Sequence, residues 1–158
     1  MGDFLRRKLV DPLIRQLTQG VTPSALALAL ALGVTLGVLP LLGTTTILCA
    51  AAAAALRLNQ PAIQVANYAA YPFQLALYVP FFQAGAWLFG APPVAFTVSQ
   101  VRAQLHSDLG GTLRTYAAAN LRAVAAWALV AIPAAVVLHL VLRPLLARVR
   151  LPGGDAPP

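Results

Sequence analysis

The sequence predicts an all-α integral membrane protein, built from broken or re-entrant helical hairpins, an amphipathic connector helix and a C-terminal transmembrane helix. Only 9% of the 158 residues are charged, against about 25% in an ordinary soluble domain. Three stretches without any charge together hold 105 residues, and they are 16–56, 58–101 and 123–142. Since about 20 apolar residues cross a bilayer as one helix, this composition excludes a soluble enzyme, a disordered chain and a disulfide scaffold.

The basic residues lie beside these apolar stretches. Of the eleven Lys and Arg, Arg6, Arg7, Lys8 and Arg15 lie before the first stretch, and Arg143, Arg148 and Arg150 lie after the last. Lys and Arg in such positions bind anionic headgroups and set topology, whereas nucleic-acid binding needs a basic cluster on a soluble surface. We therefore expect membrane lipids with anionic headgroups as partners, a homo-oligomer, and no nucleic acid.

The first apolar segment indicates where the protein resides. It has a basic start and an apolar run from Ala25 to Leu39, but no polar cleavage region follows that run. A removable signal peptide is therefore not predicted. We expect a multi-pass protein of the inner (cytoplasmic) membrane with its N-terminus in the cytoplasm. The distribution of basic residues leaves the side of the C-terminus open.

The predicted single membrane domain, 21–150, follows interfacial helices in residues 1–20. Its first hairpin is 22–57, with a helix from Thr22-Pro23 to about Leu39, because Thr is a good N-cap and Pro fits the first helical position. Pro40 and Gly43 break this helix. The second arm, 44–56, has a length of about 20 Å against a hydrocarbon core of about 30 Å, which favours a re-entrant or unequal hairpin.

Prolines divide the next apolar segment, 61–89. It follows the polar turn Arg57–Pro61, and Pro72 separates it into predicted pieces at 61–71 and 73–89. These pieces form either one kinked span or a second broken hairpin, because non-helical backbone at membrane depth needs protein or water around it.

The C-terminal third changes pattern. Apolar residues three and four apart predict an amphipathic connector helix over 94–109, ended by Gly110-Gly111. Thr112 is then expected to cap a long helix, 112–147, whose charge-free part 123–142 spans the membrane. The last residues, 151–158, are rich in Pro and Gly and predict a disordered tail.

The sequence offers little that could carry catalysis. No Asp or Glu lies in an apolar stretch, and the two histidines, His106 and His139, are far apart in the sequence. A carboxylate proton relay or a carboxylate metal site in the apolar stretches therefore has no ligands. The candidate nucleophiles are Ser24, Ser99, Ser107 and Cys49, and of these only Ser107 has a base, His106, beside it in the sequence. We expect no enzyme, no catalytic residues, no metal and no cofactor.

Polar residues in the apolar stretches are the candidate site. A stripe at helical spacing comprises Gln60, Gln64, Asn67, Tyr71 and Gln74, on one face if the helix continues through Pro72. Uncharged polar groups in lipid need partners, so this face makes interhelical hydrogen bonds or lines a substrate path.

A second feature is the helix start at Thr44–Thr46, at membrane depth. Transporters hold anionic groups at such buried half-helix starts. Arg57 is the only charge between Arg15 and Arg102, and it either sets topology or attracts an anion such as a lipid phosphate. The candidate substrate-binding residues are therefore Thr44, Thr45, Thr46, Arg57, Asn59, Gln64, Asn67 and Gln74.

Two segments resemble a known bacterial membrane family. They are Gly33-Val-Thr-Leu-Gly37-Val-Leu-Pro40-Leu-Leu-Gly43-Thr-Thr-Thr46 and Arg57-Leu-Asn-Gln-Pro61, and the family is domain of unknown function 2062. The resemblance covers about Phe4 to Arg150 and is most specific over Gly20–Gly90. The family usually has Asn-Pro-Leu-Thr where this chain has Tyr71-Pro72-Phe73-Gln74. The resemblance implies broken hydrophobic hairpins and no established activity.

Two functional hypotheses remain from the sequence. The first is a small transporter or lipid-handling protein with a polar interior. The alternative is a non-transporting membrane scaffold or accessory subunit of a membrane enzyme, such as a glycosyltransferase. A hydrated path that reaches Gln64 and Asn67 would favour transport, and a dry, packed interior would favour the scaffold.

Overall fold

The computed structural model describes residues 22–92 and 108–148, and every regular element in these two ranges is an α-helix. The helices are α1 (Pro23–Gly37), α2 (Thr45–Leu56), α3 (Gln60–Ala69), α4 (Tyr71–Leu88) and α5 (Leu109–Arg148). The all-α prediction is confirmed. The interfacial helices predicted for 1–20, nearly all of the amphipathic helix predicted for 94–109 and the tail predicted for 151–158 lie outside the described residues.

Helix α1 begins as the sequence predicts. Thr22 has extended backbone, its hydroxyl oxygen accepts a hydrogen bond from the Ala25 N–H at 3.2 Å, and Pro23 is the first helical residue. The helix ends at Gly37, two residues before the expected Leu39, since the backbone turns at Val38 ahead of Pro40.

Two turns with left-handed residues connect α1, α2 and α3. Gly43 has φ +83° in the first turn, a conformation that glycine adopts without steric cost. Arg57 has φ 53° in the second turn, and its N–H donates to the Ala53 carbonyl oxygen at the end of α2. The side-chain oxygen of Asn59 then accepts from the Ala62 N–H at 2.9 Å and caps α3. This confirms the predicted turn and helix start.

The apolar segment 61–89 is in two pieces, α3 and α4, as predicted, but the break precedes the proline. Ala70 is the junction between α3 and α4, with φ −78° and ψ −11°. Pro72 is inside the first turn of α4, where its missing N–H breaks no helical bond. Pro80 lies within α4.

Helix α3 is the centre of a compact three-helix unit. It runs parallel to α1, and the two backbones are so close that a Cβ on Gly33 would lie 2.5 Å from the Ile63 carbonyl oxygen. A Cβ on Gly37 would lie 2.8 Å from the Ala70 Cβ. Helix α2 is antiparallel to α3, and the three helices share a core of small and aliphatic residues. This core contains Leu26, Ala29, Cys49, Ala53, Ala62 and Ile63.

Helix α5 joins this unit to α4. Its 40 residues make it about 60 Å long, and it runs antiparallel to both α1 and α4. Near its middle the Trp127 indole N–H donates to the Thr35 carbonyl oxygen at 3.1 Å, and Leu146 packs on the core of the three-helix unit. In its first half, Ala119 and Ala123 pack on Phe82 of α4.

The start of α5 corrects one expectation. Gly110-Gly111 was expected to end the preceding helix and Thr112 to cap the next, but α5 already begins at Leu109. The reason is that Asp108 supplies the cap, because its carboxylate accepts from the Gly111 N–H at 3.0 Å. Thr112 is buried inside the helix and its hydroxyl donates to the Asp108 carbonyl oxygen.

Helix α5 is the one helix of 22–92 and 108–148 that is long and apolar enough to cross a membrane, judged by length and composition. Helices α1 and α2 are apolar but shorter. Many large apolar side chains are exposed in the described residues. The most exposed are Trp87, Leu121, Ile47 and Ile132, at 84%, 72%, 71% and 68%.

Candidate functional site

A polar pocket lies where the start of α2 meets the junction of α3 and α4. Its volume is about 290 Å³, and it is lined by Gly43, Thr45, Thr46, Asn67, Tyr68, Tyr71 and Gln74. We call this the polar pocket. It is the place where the two polar features of the sequence, the threonine-rich helix start and the Gln/Asn stripe, come together.

The directions of the helices explain this meeting. Because α2 is antiparallel to α3, the first residues of α2 lie beside the last residues of α3. Two hydrogen bonds fix this register: the Gln60 Nε2 donates to the Ala50 carbonyl oxygen at 2.9 Å, and the Gln64 Nε2 donates to the Thr46 carbonyl oxygen at 3.0 Å. Beyond the junction at Ala70, Gln74 of α4 lies beside the end of α1 and donates to the Leu39 carbonyl oxygen.

The amide groups around the polar pocket have a fixed orientation. A backbone carbonyl is only an acceptor, so the Gln64 Nε2 must face the Thr46 oxygen and its Oε1 faces Asn67. The Asn67 Nδ2 donates to this Oε1 at 3.2 Å. In the same way, the Gln74 Nε2 donates to the Leu39 carbonyl oxygen at 2.7 Å. These two hydrogen bonds use the amide nitrogens of Asn67 and Gln74, and the side-chain oxygens of both residues take no part in them.

Three buried side chains present unpaired oxygens to the polar pocket. Thr45, Asn67 and Gln74 are only 8%, 3% and 1% exposed, and no hydrogen bond involves the Thr45 hydroxyl, Asn67 Oδ1 or Gln74 Oε1 within 22–92 and 108–148. In those ranges, the one side-chain polar atom sealed away without a partner is Nδ1 of His139. The three oxygens therefore open onto the pocket that these residues line.

The structure assembles only part of the predicted site. Thr45, Thr46, Asn67 and Gln74 line the polar pocket, and Gln64 lies beneath it, bonded to two of its members. Thr44 adjoins the pocket, but its hydroxyl donates to the Leu41 carbonyl oxygen.

Arg57 and Asn59 lie at the opposite end of α2 from the threonines. The 12 residues of this helix separate them from Thr45 by about 18 Å. Asn59 caps α3, and Arg57 is exposed at the turn. An anion site that combines Arg57 with the threonines is therefore not formed within the described residues, whose side chains around the polar pocket carry no charge.

Sequence reasoning missed Tyr68 and gave Gly43 only a turn role. Tyr68 is 61% exposed and Tyr71 is 52% exposed, so both stand at the rim of the polar pocket. The signal for Tyr68 was its spacing, because residues three apart on a helix are neighbours and Tyr71 was already part of the stripe.

A second concavity, the apolar groove, lies between α1, α4 and α5. It has a volume of about 320 Å³. Its lining includes Val34, Val38, Phe73, Leu77, Phe81 and Leu138. The polar groups at its wall are already paired, since Trp127 donates to the Thr35 carbonyl oxygen and the Thr35 hydroxyl donates to that of Ala31.

The polar pocket and the apolar groove are neighbours. Phe73 lines the groove and the next residue, Gln74, lines the pocket. Val38 lines the groove, and the carbonyl of the next residue, Leu39, holds Gln74. The two spaces therefore lie on either side of one contact between α1 and α4.

Among the described residues, no group of three His, Cys, Asp or Glu side chains could hold a metal ion. The polar pocket accordingly offers hydroxyl and amide chemistry, which recognises a ligand by hydrogen bonds.

In the described residues, the fold is all-helical, with one helix long and apolar enough to cross a membrane and a polar pocket at the meeting point of helix ends. The chain belongs to a bacterial family described as uncharacterized protein conserved in bacteria (DUF2062), whose sequence model matches residues 6–151. This confirms the resemblance found in the sequence. No curated protein and no solved structure matches the chain.

Proposed function

We propose that this protein is a multi-pass inner-membrane protein that handles lipids, with the headgroup in the polar pocket and an acyl chain in the apolar groove. The observation that carries the proposal is that consecutive residues line these two spaces, Phe73 the apolar groove and Gln74 the polar pocket, beside the hydrogen bond from Gln74 to the Leu39 carbonyl oxygen. An amphiphile has the same arrangement, a polar part joined to an apolar chain. Each space is near the lower end of the range for small-ligand sites, about 300–1,000 Å³.

The surface supports membrane placement. Large apolar side chains are exposed along α4 and α5, among them Trp87, Leu121 and Ile132. Soluble monomers rarely expose large contiguous apolar patches, whereas lipid tails accept them. The N-terminal basic residues support a cytoplasmic N-terminus, and the same exposed faces support a homo-oligomer.

The lining of the apolar groove favours a lipid over a small hydrated solute. A hydrated solute needs polar groups along its path, because each lost hydrogen bond with water costs free energy. The groove offers only apolar side chains and polar groups that are already paired. We accordingly propose a binding protein without catalytic residues, resident metal or cofactor.

Native mass spectrometry of the purified protein tests the proposal. We expect wild-type protein to retain about one lipid per chain. Ala134→Phe places a ring in the groove that Ala134 lines, and we expect it to abolish this retention. Ala117→Phe, on an exposed position of the same helix, is the matched control and should retain the lipid. Equal retention in both variants would contradict lipid binding in the groove.

A second candidate function is the non-transporting scaffold or accessory subunit. It is favoured by the use of the stripe, because amides of Gln60, Gln64 and Gln74 all bond backbone carbonyls of neighbouring segments. In this role the stripe holds the helices together by hydrogen bonds between segments. The scaffold hypothesis expects the cellular phenotype of a gene deletion to be rescued equally by wild-type protein and by Ala134→Phe, whereas lipid handling expects no rescue by that variant.

A further inference from the structure

We infer that the polar pocket selects a neutral polyhydroxy group, such as a sugar or a glycerol moiety, over a phosphate or an ammonium group. This inference deepens the proposed function, names the class of headgroup and rests on lipid handling. It follows from the orientation of the buried amides together with the position of the α2 N-terminus.

The amides require a ligand that donates hydrogen bonds. The Nδ2 of Asn67 and the Nε2 of Gln74 each donate one of their two N–H groups to a protein acceptor, whereas Asn67 Oδ1 and Gln74 Oε1 have no protein donor and are the unpaired acceptors at the pocket. Both residues are more than nine-tenths buried. A deprotonated phosphate oxygen has no proton to give them, and two acceptors beside an anion repel it.

The start of α2 disfavours a positively charged group in the pocket. Thr45 is the first residue of that helix, and the first N–H groups of a helix have no partner within it. They carry the positive end of the helix dipole, which disfavours an ammonium group. No carboxylate compensates, because none of the described residues that line the pocket is acidic.

A hydroxyl group can pair both with the amide oxygens and with the start of α2. It donates to an amide oxygen and accepts from a helix N–H or from the Thr45 hydroxyl, which can itself donate and accept. Tyr68 and Tyr71 add ring faces and phenol groups at the rim, a combination suited to a ligand that is partly apolar and partly polar. Several hydroxyls close together, as in a sugar or glycerol, match several unpaired oxygens in one pocket.

Competition among lipids that share the same acyl chains tests the inference. The probes are glucosyl diacylglycerol, phosphatidic acid and phosphatidylethanolamine, and the readout is the apparent Kd from native mass spectrometry. The protein is kept in an amine-oxide detergent, because glucoside and maltoside detergents carry the hydroxyls under test. We expect the glucosyl lipid to bind about tenfold more tightly than the other two, equivalent to one or two net hydrogen bonds.

Thr45→Val removes a buried hydroxyl that the described protein does not itself use, with little change in shape. We expect it to weaken binding of the glucosyl lipid about five- to tenfold and to leave phosphatidic acid binding unchanged. Thr115→Val is the matched control, since Thr115 is exposed on α5 and its hydroxyl donates to the Gly111 carbonyl oxygen. If Thr45→Val does not fold, Tyr71→Phe at the rim carries the same expectation.

Each outcome has one meaning. Equal affinity for the three lipids, or tightest binding of phosphatidic acid, overturns the polyhydroxy inference and leaves lipid handling standing. The absence of saturable binding by any lipid overturns both. Free methyl glucoside is the last arm: if it displaces the glucosyl lipid at equal concentration, the polyhydroxy preference stands but its source is a soluble sugar, and the lipid proposal fails.

Discussion

Gln74 joins the start of α4 to the end of α1 through one buried hydrogen bond, 2.7 Å from its Nε2 to the Leu39 carbonyl oxygen. Gln74→Leu leaves that carbonyl unpaired, so we expect it to lower the free energy of unfolding by about 1–3 kcal/mol. Gln83→Leu is the control, because Gln83 is exposed on the same helix, and it should cost much less. Thermal unfolding in detergent measures both, and equal losses would contradict a structural role for this bond.

Arg57 tests whether a guanidinium is needed at the α2–α3 turn. The residue is in the left-handed region at φ 53°, where a side chain costs about 1–2 kcal/mol relative to glycine. We expect Arg57→Gly to raise stability by about 1 kcal/mol and Arg57→Lys to leave both stability and lipid binding unchanged. Loss of lipid binding in Arg57→Lys would instead indicate a bidentate phosphate contact, and Arg57 would then belong to the binding site.

At the residue scale, the sequence predicted that Asn67 and Gln74 face inward but not what they offer, and Gln60 and Tyr71 of the same stripe are exposed. Spacing placed Asn67 and Gln74 on one face, and both are buried. Which amide atom points into the pocket depends on the carbonyls of Leu39 and Thr46, in segments distant in the chain. Local pattern holds no information on that geometry.

Close packing of α1 on α3 is the main prediction at the scale of elements. A Cβ on Gly33 would lie 2.5 Å from the Ile63 carbonyl oxygen and 2.6 Å from the Ala66 Cβ. We expect Gly33→Ala to lower the free energy of unfolding by about 1–3 kcal/mol, despite the better helix propensity of alanine. Gly110→Ala is the control, because its Cβ would be 3.8 Å from Oδ1 of Asp108, an ordinary van der Waals distance.

The two glycine variants should change the free energy of unfolding in opposite directions. Gly110→Ala should raise stability by up to about 1 kcal/mol from propensity alone. Denaturant unfolding in detergent compares them, and a neutral Gly33→Ala would mean that the helices are not in contact there.

Element boundaries were predictable where a cap and a proline coincide. Thr22-Pro23 and Asn59 with Pro61 each start a helix as expected. The start of α5 was wrong because Gly-Gly is typical of a helix end, whereas Asp108 caps a helix that includes both glycines. Asp is a preferred N-cap residue, so the sequence contains both signals, and the local pattern does not say which of them prevails.

Exposure of large apolar side chains across 22–92 and 108–148 predicts firm membrane association. The chain should stay with the membrane fraction in high salt and at alkaline pH, because its charge-free stretches are stable in lipid. Release by either treatment, measured by fractionation and immunoblotting, would contradict an integral location.

Long apolar stretches broken by proline made the helical fold class predictable from the sequence. The position of the polar pocket beside the apolar groove could not be predicted, because it depends on contacts between segments that are distant in the chain.

The two tryptophans allow a direct test of the central claim, that a lipid occupies the apolar groove. Trp127 lines the groove, whereas Trp87 is 84% exposed. Trp87→Phe therefore leaves a chain whose only tryptophan reports on the groove. Lipids with brominated acyl chains quench tryptophan on contact, so a titration in detergent follows occupancy.

We predict quenching of Trp127 that saturates at about one lipid per chain and that disappears when Ala134→Phe is added to the Trp87→Phe protein. Quenching that rises in proportion to the lipid without saturation, and equally in both proteins, would contradict a bound lipid in the groove.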